Sequence, residues 1–392
     1  MTARNTRGEL RILIAPDSFK ESLDASAVAR ALEKGLRRVL RGARIETLPM
    51  ADGGEGTVAA VVRATGGRLL RRSVTGPLGD PVRAAFGLLP DGSAVIEMAA
   101  ASGLPLVPQT RRDPRRTTTY GTGELIAHAL QLGASRIVVG LGGSATNDAG
   151  AGMAQALGAV FRDRRGRILG RPLAGGDLAA VAAVELGGMA LPRAGIDVLA
   201  ACDVKNPLCG PRGAAATFGP QKGANPAQVK RLDRHLRHFA ALVEGETRRS
   251  LSDRPGAGAA GGLGFGLMAF GRARLVPGAA LVMQLLGVEA RLRDADLLIT
   301  AEGRIDGQTL LGKAPVALAG LARRLGVPVI GVGGALAADA PRLFRHGFDA
   351  LEASVTSPTD LSGALLDARV NLERAGERIG RWVELARRLN RR

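Results

Sequence analysis

Aromatic side chains make up only 3% of the 392 residues, and cysteine occurs twice. Cores with so few rings must be packed from Ala, Leu and Val, and an apolar fraction of 46% supplies them. Cys202 and Cys209 share one loop region with no partner cluster, which argues against a disulfide framework and a zinc site. A reducing cytoplasm is the expected compartment. No apolar run approaches the about 20 residues that span a bilayer, so no membrane partner is expected. Met1 to Glu9 is polar with no apolar h-region, so no secretory signal is expected either. The four histidines (His128, His235, His238, His346) fall in or near helical patterns, away from the Gly-rich loops. Neither a Ser-His-Asp arrangement nor a His-rich metal site is supported. His235 and His238 are expected to be solvated. No Gly-x-x-x-x-Gly-Lys-[Ser/Thr] loop occurs, and no Gly-x-Gly-x-x-Gly follows the first strand.

Lysine is scarce as well. The 54 basic residues include only Lys20, Lys34, Lys205, Lys222, Lys230 and Lys313. Lys20, Lys205, Lys222 and Lys313 sit in Gly-, Pro- or Ser-type loops beside carboxylates or glycines, where a compact ammonium differs in use from a planar guanidinium. The net charge of +18 rests on arginines scattered in short clusters with almost no aromatics between them. That pattern reads as a solvated surface, not a nucleic-acid interface.

What is present is alternation. Arg11–Ala15 reads as a buried strand, Ala25–Leu40 as a helix, Arg44–Pro49 as a second strand and Thr57–Ala64 as a helix start, the rhythm of a parallel sheet. From Arg68 to Met98, short runs broken by Gly76-Pro77, Gly79-Asp80-Pro81 and Pro90-Asp91-Gly92 suggest antiparallel strands. Strands follow at Arg136–Gly140 and Ile196–Ala201, with a long amphipathic helix at Pro226–Glu244. Arg254–Gly266 is Gly/Ala-rich and reads as a mobile or close-approach loop. Beyond Gly287 the βα alternation resumes. The simplest solution is one doubly wound parallel sheet built from residues 1–72 and 288–392, with a second α/β domain, 73–287, inserted.

Ligands of open parallel sheets bind outside the carboxyl ends of the strands. That rule selects Asp17-Ser18-Phe19-Lys20, Asp52–Gly56, Glu302–Asp306 and Gly331–Gly334. In the insert it selects Gly142-Gly143-Ser144-Ala145-Thr146-Asn147-Asp148, Cys202–Leu208, Phe218–Ala224 and Gly258–Gly264, the last containing Gly261 and Gly262. Glycines let backbone N–H groups approach an anion, and carboxylates beside an anion make sense if Mg²⁺ bridges them. An inventory of Asp, Lys, Arg and Gly-rich loops suits phosphoryl transfer.

These loops resemble the bacterial glycerate kinase family. The resemblance rests on Ala15-Pro-Asp-Ser-Phe-Lys20, Pro49-Met-Ala-Asp-Gly-Gly-Glu-Gly-Thr57, Thr119-Tyr-Gly-Thr-Gly-Glu-Leu125 and Gly140-Leu-Gly-Gly-Ser-Ala-Thr-Asn-Asp148. It continues in order through Ala201-Cys-Asp-Val204, Asn206-Pro-Leu208, Phe218–Ala224, Ala259–Leu263 and Glu302-Gly-Arg304 with Gly312-Lys-Ala-Pro315. Ala301, where Gly is usual, and Asp306 depart from the pattern. The resemblance implies a flavodoxin-like sheet domain interrupted by a second α/β domain, with the active site in the cleft between them. It also implies ATP with Mg²⁺, and D-glycerate phosphorylated to 2-phosphoglycerate.

Roles follow by chemistry. Arg304, with Ser18 assisting, is the candidate for the acceptor's carboxylate, and Asp17 is a further substrate-binding candidate. Lys20 and Lys222 would neutralise phosphate oxygens, and Asp203 or Asp52 would take the hydroxyl proton. Gly142, Gly143, Ser144, Thr146, Gly261 and Gly262 are the nucleotide candidates, and Asp52, Glu55 and Asp148 the metal candidates. Phosphorylation at the 3-hydroxyl, a phosphatase, a flavodoxin-like oxidoreductase and a homo-oligomeric state stay open.

Overall fold

Runs of Ile, Leu and Val that stop at Pro, Gly or Asp become strands, as their branched side chains favour. The computed structural model describes residues 9–50, 56–170, 172–192, 195–307, 309–311 and 314–389. In chain order its strands are β1 (Arg11–Ile14), β2 (Arg44–Thr47), β3 (Arg68–Thr75), β4 (Pro81–Leu88), β5 (Ser93–Glu97), β6 (Arg136–Gly140), β7 (Val160–Arg162), β8 (Ala183–Glu185), β9 (Asp197–Ala201), β10 (Arg274–Val276), β11 (Leu297–Ile305), β12 (Val329–Leu336) and β13 (Ala350–Ala353). Two compact units result, one from residues 1–52 and 282–392, the other from residues 53–281.

The sheet of the first unit runs β2-β1-β11-β12-β13, and every pairing is parallel. Counted along this unit's own chain, the order is 2-1-3-4-5. That is the flavodoxin-like doubly wound order, with its switch point between β1 and β11. Ile12, Ile14, Leu297 and Ile299 form one core with helices Ala25–Arg37 and Ala368–Leu389. Leu13 and Leu298, one residue along, face the opposite way and are also buried. Asp24 caps the first helix by accepting from Ala27 N at 2.7 Å. The two helices touch through glycine: a Cβ on Gly35 would lie 2.0 Å from the carbonyl oxygen of Glu373, and one on Gly376 2.4 Å from that of Leu32. Lys34 and Arg38 flank this contact, each paired with Glu373, at 2.9 and 2.8 Å.

The sheet of the second unit runs β10-β9-β6-β5-β4-β3. β5, β6, β9 and β10 are parallel, and β3, β4 and β5 form the antiparallel part expected from the Gly/Pro punctuation. A first boundary is expected from the sequence at 72/73; β3 pairs along its whole length with β4, and the division into compact units falls before helix Thr57–Thr65. Phe161, Phe239 and Phe270 meet in its core with ring centroids 5.4 to 6.5 Å apart. Helix Pro226–Thr247 starts in a capping box of Asn225 and Gln228. Of the two histidines expected to be solvated, His238 is exposed and His235 half-buried, and they donate to the carbonyls of Val181 (2.7 Å) and Gly175 (3.2 Å), fastening this helix.

Of the two readings of the Gly/Ala-rich stretch, close approach holds. Ala260–Gly262 form a left-handed kink packed against residues 146–149, the helix runs on from there to Gly271, and every residue from Ala259 is buried. Side chains that small make a helix thin enough to pass through a core.

Gly35→Ala is expected to lower the thermal unfolding midpoint. The clash should cost about 1–3 kcal/mol, more than alanine gains in a helix. Gly42→Ala, where nothing lies within 4 Å of a new Cβ, is the control and should leave the midpoint in place. Equal midpoints for the two variants would contradict the tight crossing.

Candidate active site

In the first unit, the chain leaves β1 but stays beside β11. Ala15 N donates to Ile299 O and Asp17 N to Ala301 O, both at 2.8 Å. Thr300 Oγ1 adds a bond to Ala15 O at 2.8 Å. Asp17 Oδ1 accepts from Ser18 N at 2.6 Å, and Phe19 pairs back onto Leu23. Glu21, with φ 64°, closes this turn. The turn and the end of β11 border a cavity of about 580 Å³ that brings together Asp17, Ser18, Lys20, Glu302, Arg304 and Asp306.

Two of the expected loops are largely strand. The parallel pairing of β11 with β12 continues through Glu302↔Gly333, Arg304↔Ala335 and Ile305↔Leu336. Glycine permits this closeness, since a Cβ on Gly334 would stand 2.3 Å from Gly303 O. Thr309 Oγ1 donates to the buried Glu302 at 2.9 Å and accepts from Asp306 N at 3.1 Å. Arg304 Nε lies 3.4 Å from Asp306 Oδ2 while its side chain remains 70% exposed.

In the second unit, β6 and β9 end side by side, with Gly140 opposite Ala201. The loops that follow them therefore leave one edge. Gly142 and Gly143 are exposed, Ser144 is nearly buried, and Thr146, Asn147 and Asp148 are fully buried. Asp148 Oδ2 accepts from Thr119 N and Thr119 Oγ1, both at 2.8 Å, and from Gly152 N at 3.3 Å; Oδ1 accepts from Gly150 N at 3.1 Å. Burial raises the pKa of this carboxyl and the hydrogen bonds oppose the rise. A buried carboxylate engaged by four donors holds the loop in shape and is not presented to a metal, which corrects the role expected for it.

Lys222 is also internal. Its Nζ donates to Ser144 Oγ at 2.8 Å and Thr146 O at 2.7 Å. Burial lowers its pKa to about 7, with the charge of Asp148 acting in the opposite direction. It supports the loop from beneath. Ala260, Gly261 and Gly262 have φ of 51, 67 and 92°, a left-handed run that folds against residues 146–149. A Cβ on Gly261 would be 1.8 Å from Thr146 O, and one on Gly262 2.8 Å from the Cα of Ala149. Thr146, Gly261 and Gly262 thus form the inner wall of the loop and are no open phosphate cradle. Gly142 and Gly143, with the edge of Ser144, are the surface this wall backs.

Asp203 is exposed just past β9, and its Oδ1 accepts from Gly278 N at 2.9 Å at the start of helix Gly278–Leu285. Burial raises the thiol pKa of Cys202 and pushes that of Cys209 up to about 12. Asp52, Glu55 and Lys313 lie outside the described residues. Among the described residues no group of three His, Cys, Asp or Glu side chains is placed to hold a metal. Mg²⁺ commonly needs only one or two carboxylates plus phosphate oxygens, and the oxygen donors Asp17, Glu302 and Asp306 on one cavity fit that requirement.

Thr119 and Asn147 lie in the motifs above without a role of their own, and further lining residues carry no sequence signal. Thr119 fixes Asp148, and its signal lay in the Thr119–Leu125 motif. Asn147 is wholly buried with neither Nδ2 nor Oδ1 hydrogen-bonded among the described residues. Ser354, Val355 and Thr359–Leu361 line the first-unit cavity from a stretch that carries no motif.

The sequence profile of the Glycerate kinase family matches residues 12–384. A protein of Bacillus subtilis (strain 168) named glycerate kinase is 48% identical over 96% of this chain and 99% of its own. One of Escherichia coli (strain K12) named glycerate 2-kinase is 46% identical over 97% of this chain and 99% of its own. A crystal structure from Salmonella typhimurium LT2, of a protein assigned as glycerate kinase 2, is similar with a TM-score of 0.88 at 46% identity. It covers 97% of this chain and 100% of that one.

The buried lysine generates a pH prediction. Between about 7 and the ordinary value of 10.5, the unfolded chain holds a proton that folded Lys222 has shed. Stability from this group therefore rises with pH across that window, at up to ~1.4 kcal/mol per pH unit, and its penalty is complete below pH 7. In denaturant unfolding at pH 7 and pH 9.5, the parent should gain on Lys222→Met as pH rises. A constant gap would mean that Lys222 keeps its proton.

Proposed function

Because the chain belongs to the glycerate kinase family, we propose that it transfers the γ-phosphoryl group of ATP to the 2-hydroxyl of D-glycerate, as a cytoplasmic enzyme. The reading is carried by likeness along the whole chain to a protein named glycerate 2-kinase. A bond forms between the acceptor oxygen and the γ-phosphorus, the bond to the ADP oxygen breaks, and the hydroxyl proton passes to Asp203 or Asp52. The acceptor's carboxylate is assigned to Arg304, whose exposed fork can accept it side-on, with Ser18 and Asp17 at its hydroxyls. Lys20, exposed on the same cavity, is assigned to phosphate oxygens. Lys222 acts through the loop it supports, at Gly142, Gly143 and Ser144. Mg²⁺ would supply charge neutralisation on the phosphates, with Glu302 and Asp306 of the first-unit cavity able to meet it and Asp52 and Glu55 proposed as further ligands.

Incubation with ATP, Mg²⁺ and D-glycerate, followed by phosphorus NMR, should yield 2-phosphoglycerate. Appearance of the 3-isomer or of free phosphate in its place overturns the reading. Arg304→Ala should raise the glycerate KM by about tenfold or more while ATP affinity is retained, since a charge-assisted bidentate contact is lost. An unchanged KM removes Arg304 from the acceptor site.

A further inference from the structure

The first-unit cavity has two kinds of wall. One is polar, from the turn after β1 and the end of β11. The other is apolar, made by Phe19 and the segment after β13: Val355, Leu361, Ala364, Leu365 and Ala368. Glycerate carries an oxygen on every carbon and gains little against hydrocarbon. The volume of about 580 Å³ also lies within the ~300–1,000 Å³ of sites that hold much larger ligands. Of the two substrates, only the nucleotide has a flat face with apolar character to bury.

We propose that the apolar wall after β13 receives the purine nucleoside portion of ATP and ADP, an assignment that rests on the kinase reading above. The wall stands beyond the carboxyl end of the edge strand β13, and the cavity it borders reaches the turn after β1 and the end of β11, the two strands of the switch point where such folds take ligands. Helix Leu361–Leu366 buries none of its residues, and Leu361 is 72% exposed, so the wall offers apolar surface that the protein's own core does not cover. The helix is nevertheless held in place. Asp360 Oδ1 caps it by accepting from Gly363 N at 2.7 Å, and Ser22 Oγ donates to Leu365 O at 2.8 Å, tying it to the turn that carries Ser18 and Lys20. In this chain, poor in aromatics, the base rests on aliphatic side chains, which Phe19 backs from the core. Lys20 and Arg304 line the same cavity for the charged ends of the two substrates.

The test uses the full chain, Leu361→Ser and Ala364→Trp, both changes lying on a helix without buried residues. ADP and inorganic tripolyphosphate are titrated by calorimetry, and the glycerate KM is measured in parallel. Ala364→Trp should weaken ADP about tenfold or more by filling the space of the base, and Leu361→Ser should weaken it several-fold. Tripolyphosphate binding and the glycerate KM should stay at parental values. Unchanged ADP affinity overturns the assignment, as does a loss shared with tripolyphosphate or an effect confined to glycerate. If the parent makes no phosphoglycerate yet the ADP pattern holds, the kinase reading fails and the wall assignment stands. If the parent is active and ADP binding is indifferent to both changes, the wall assignment fails alone.

Discussion

Parallel strands joined through a helix cross over with one hand, and that constraint shapes the first unit. From β1 the chain goes outward to β2 on one side, whereas β11, its other neighbour, leads on to β12 and β13. At the boundary the loops part, and a crevice is left without any further device. The Asp17–Lys20 turn, the extended end of β11 and the helix after β13 all border it. Each is tied to the sheet by main-chain bonds or by one side-chain bond to a carbonyl, so the side chains around the crevice stand on rigid elements.

The second unit solves a different problem. A Gly-rich loop could take many conformations, and here the loop after β6 is fixed from beneath. Asp148 gathers four donors, Lys222 spans Ser144 and Thr146, and the left-handed run at 260–262 closes the remaining space. What faces outward is backbone, at Gly142 and Gly143. A loop so prepared loses little freedom when it meets an anion. In a reaction governed by positioning and charge, that preparation is worth more than an extra contact.

The strand rhythm carried most of the fold, because apolar runs at period 2 followed by helical spacing leave few arrangements open. Gly331, Gly333 and Gly334 misled it, since glycine usually punctuates and here serves to bring β12 against β11. Ser18 and Lys20 were legible as loop residues past a strand end, whereas Arg304, expected in a loop, lies within β11. Asp148 and Lys222 were legible as important, but not as internal: burial is decided by Thr119, Ser144 and the 260–262 turn, which arrive from distant parts of the chain. Leu361 and Ala364 gave no signal at all. An apolar residue on a short helix looks like core until the structure leaves it uncovered.

The contact of Gly35 with Glu373 and of Gly376 with Leu32 joins segments more than three hundred residues apart. During synthesis the second unit has every one of its strands once Leu281 has been made, and it can fold as a continuous stretch. The first unit cannot. Its opening strand waits for β11, and helix Ala25–Arg37 waits for helix Ala368–Leu389. Order of synthesis thus separates the two halves of this helix crossing by the whole length of the second unit.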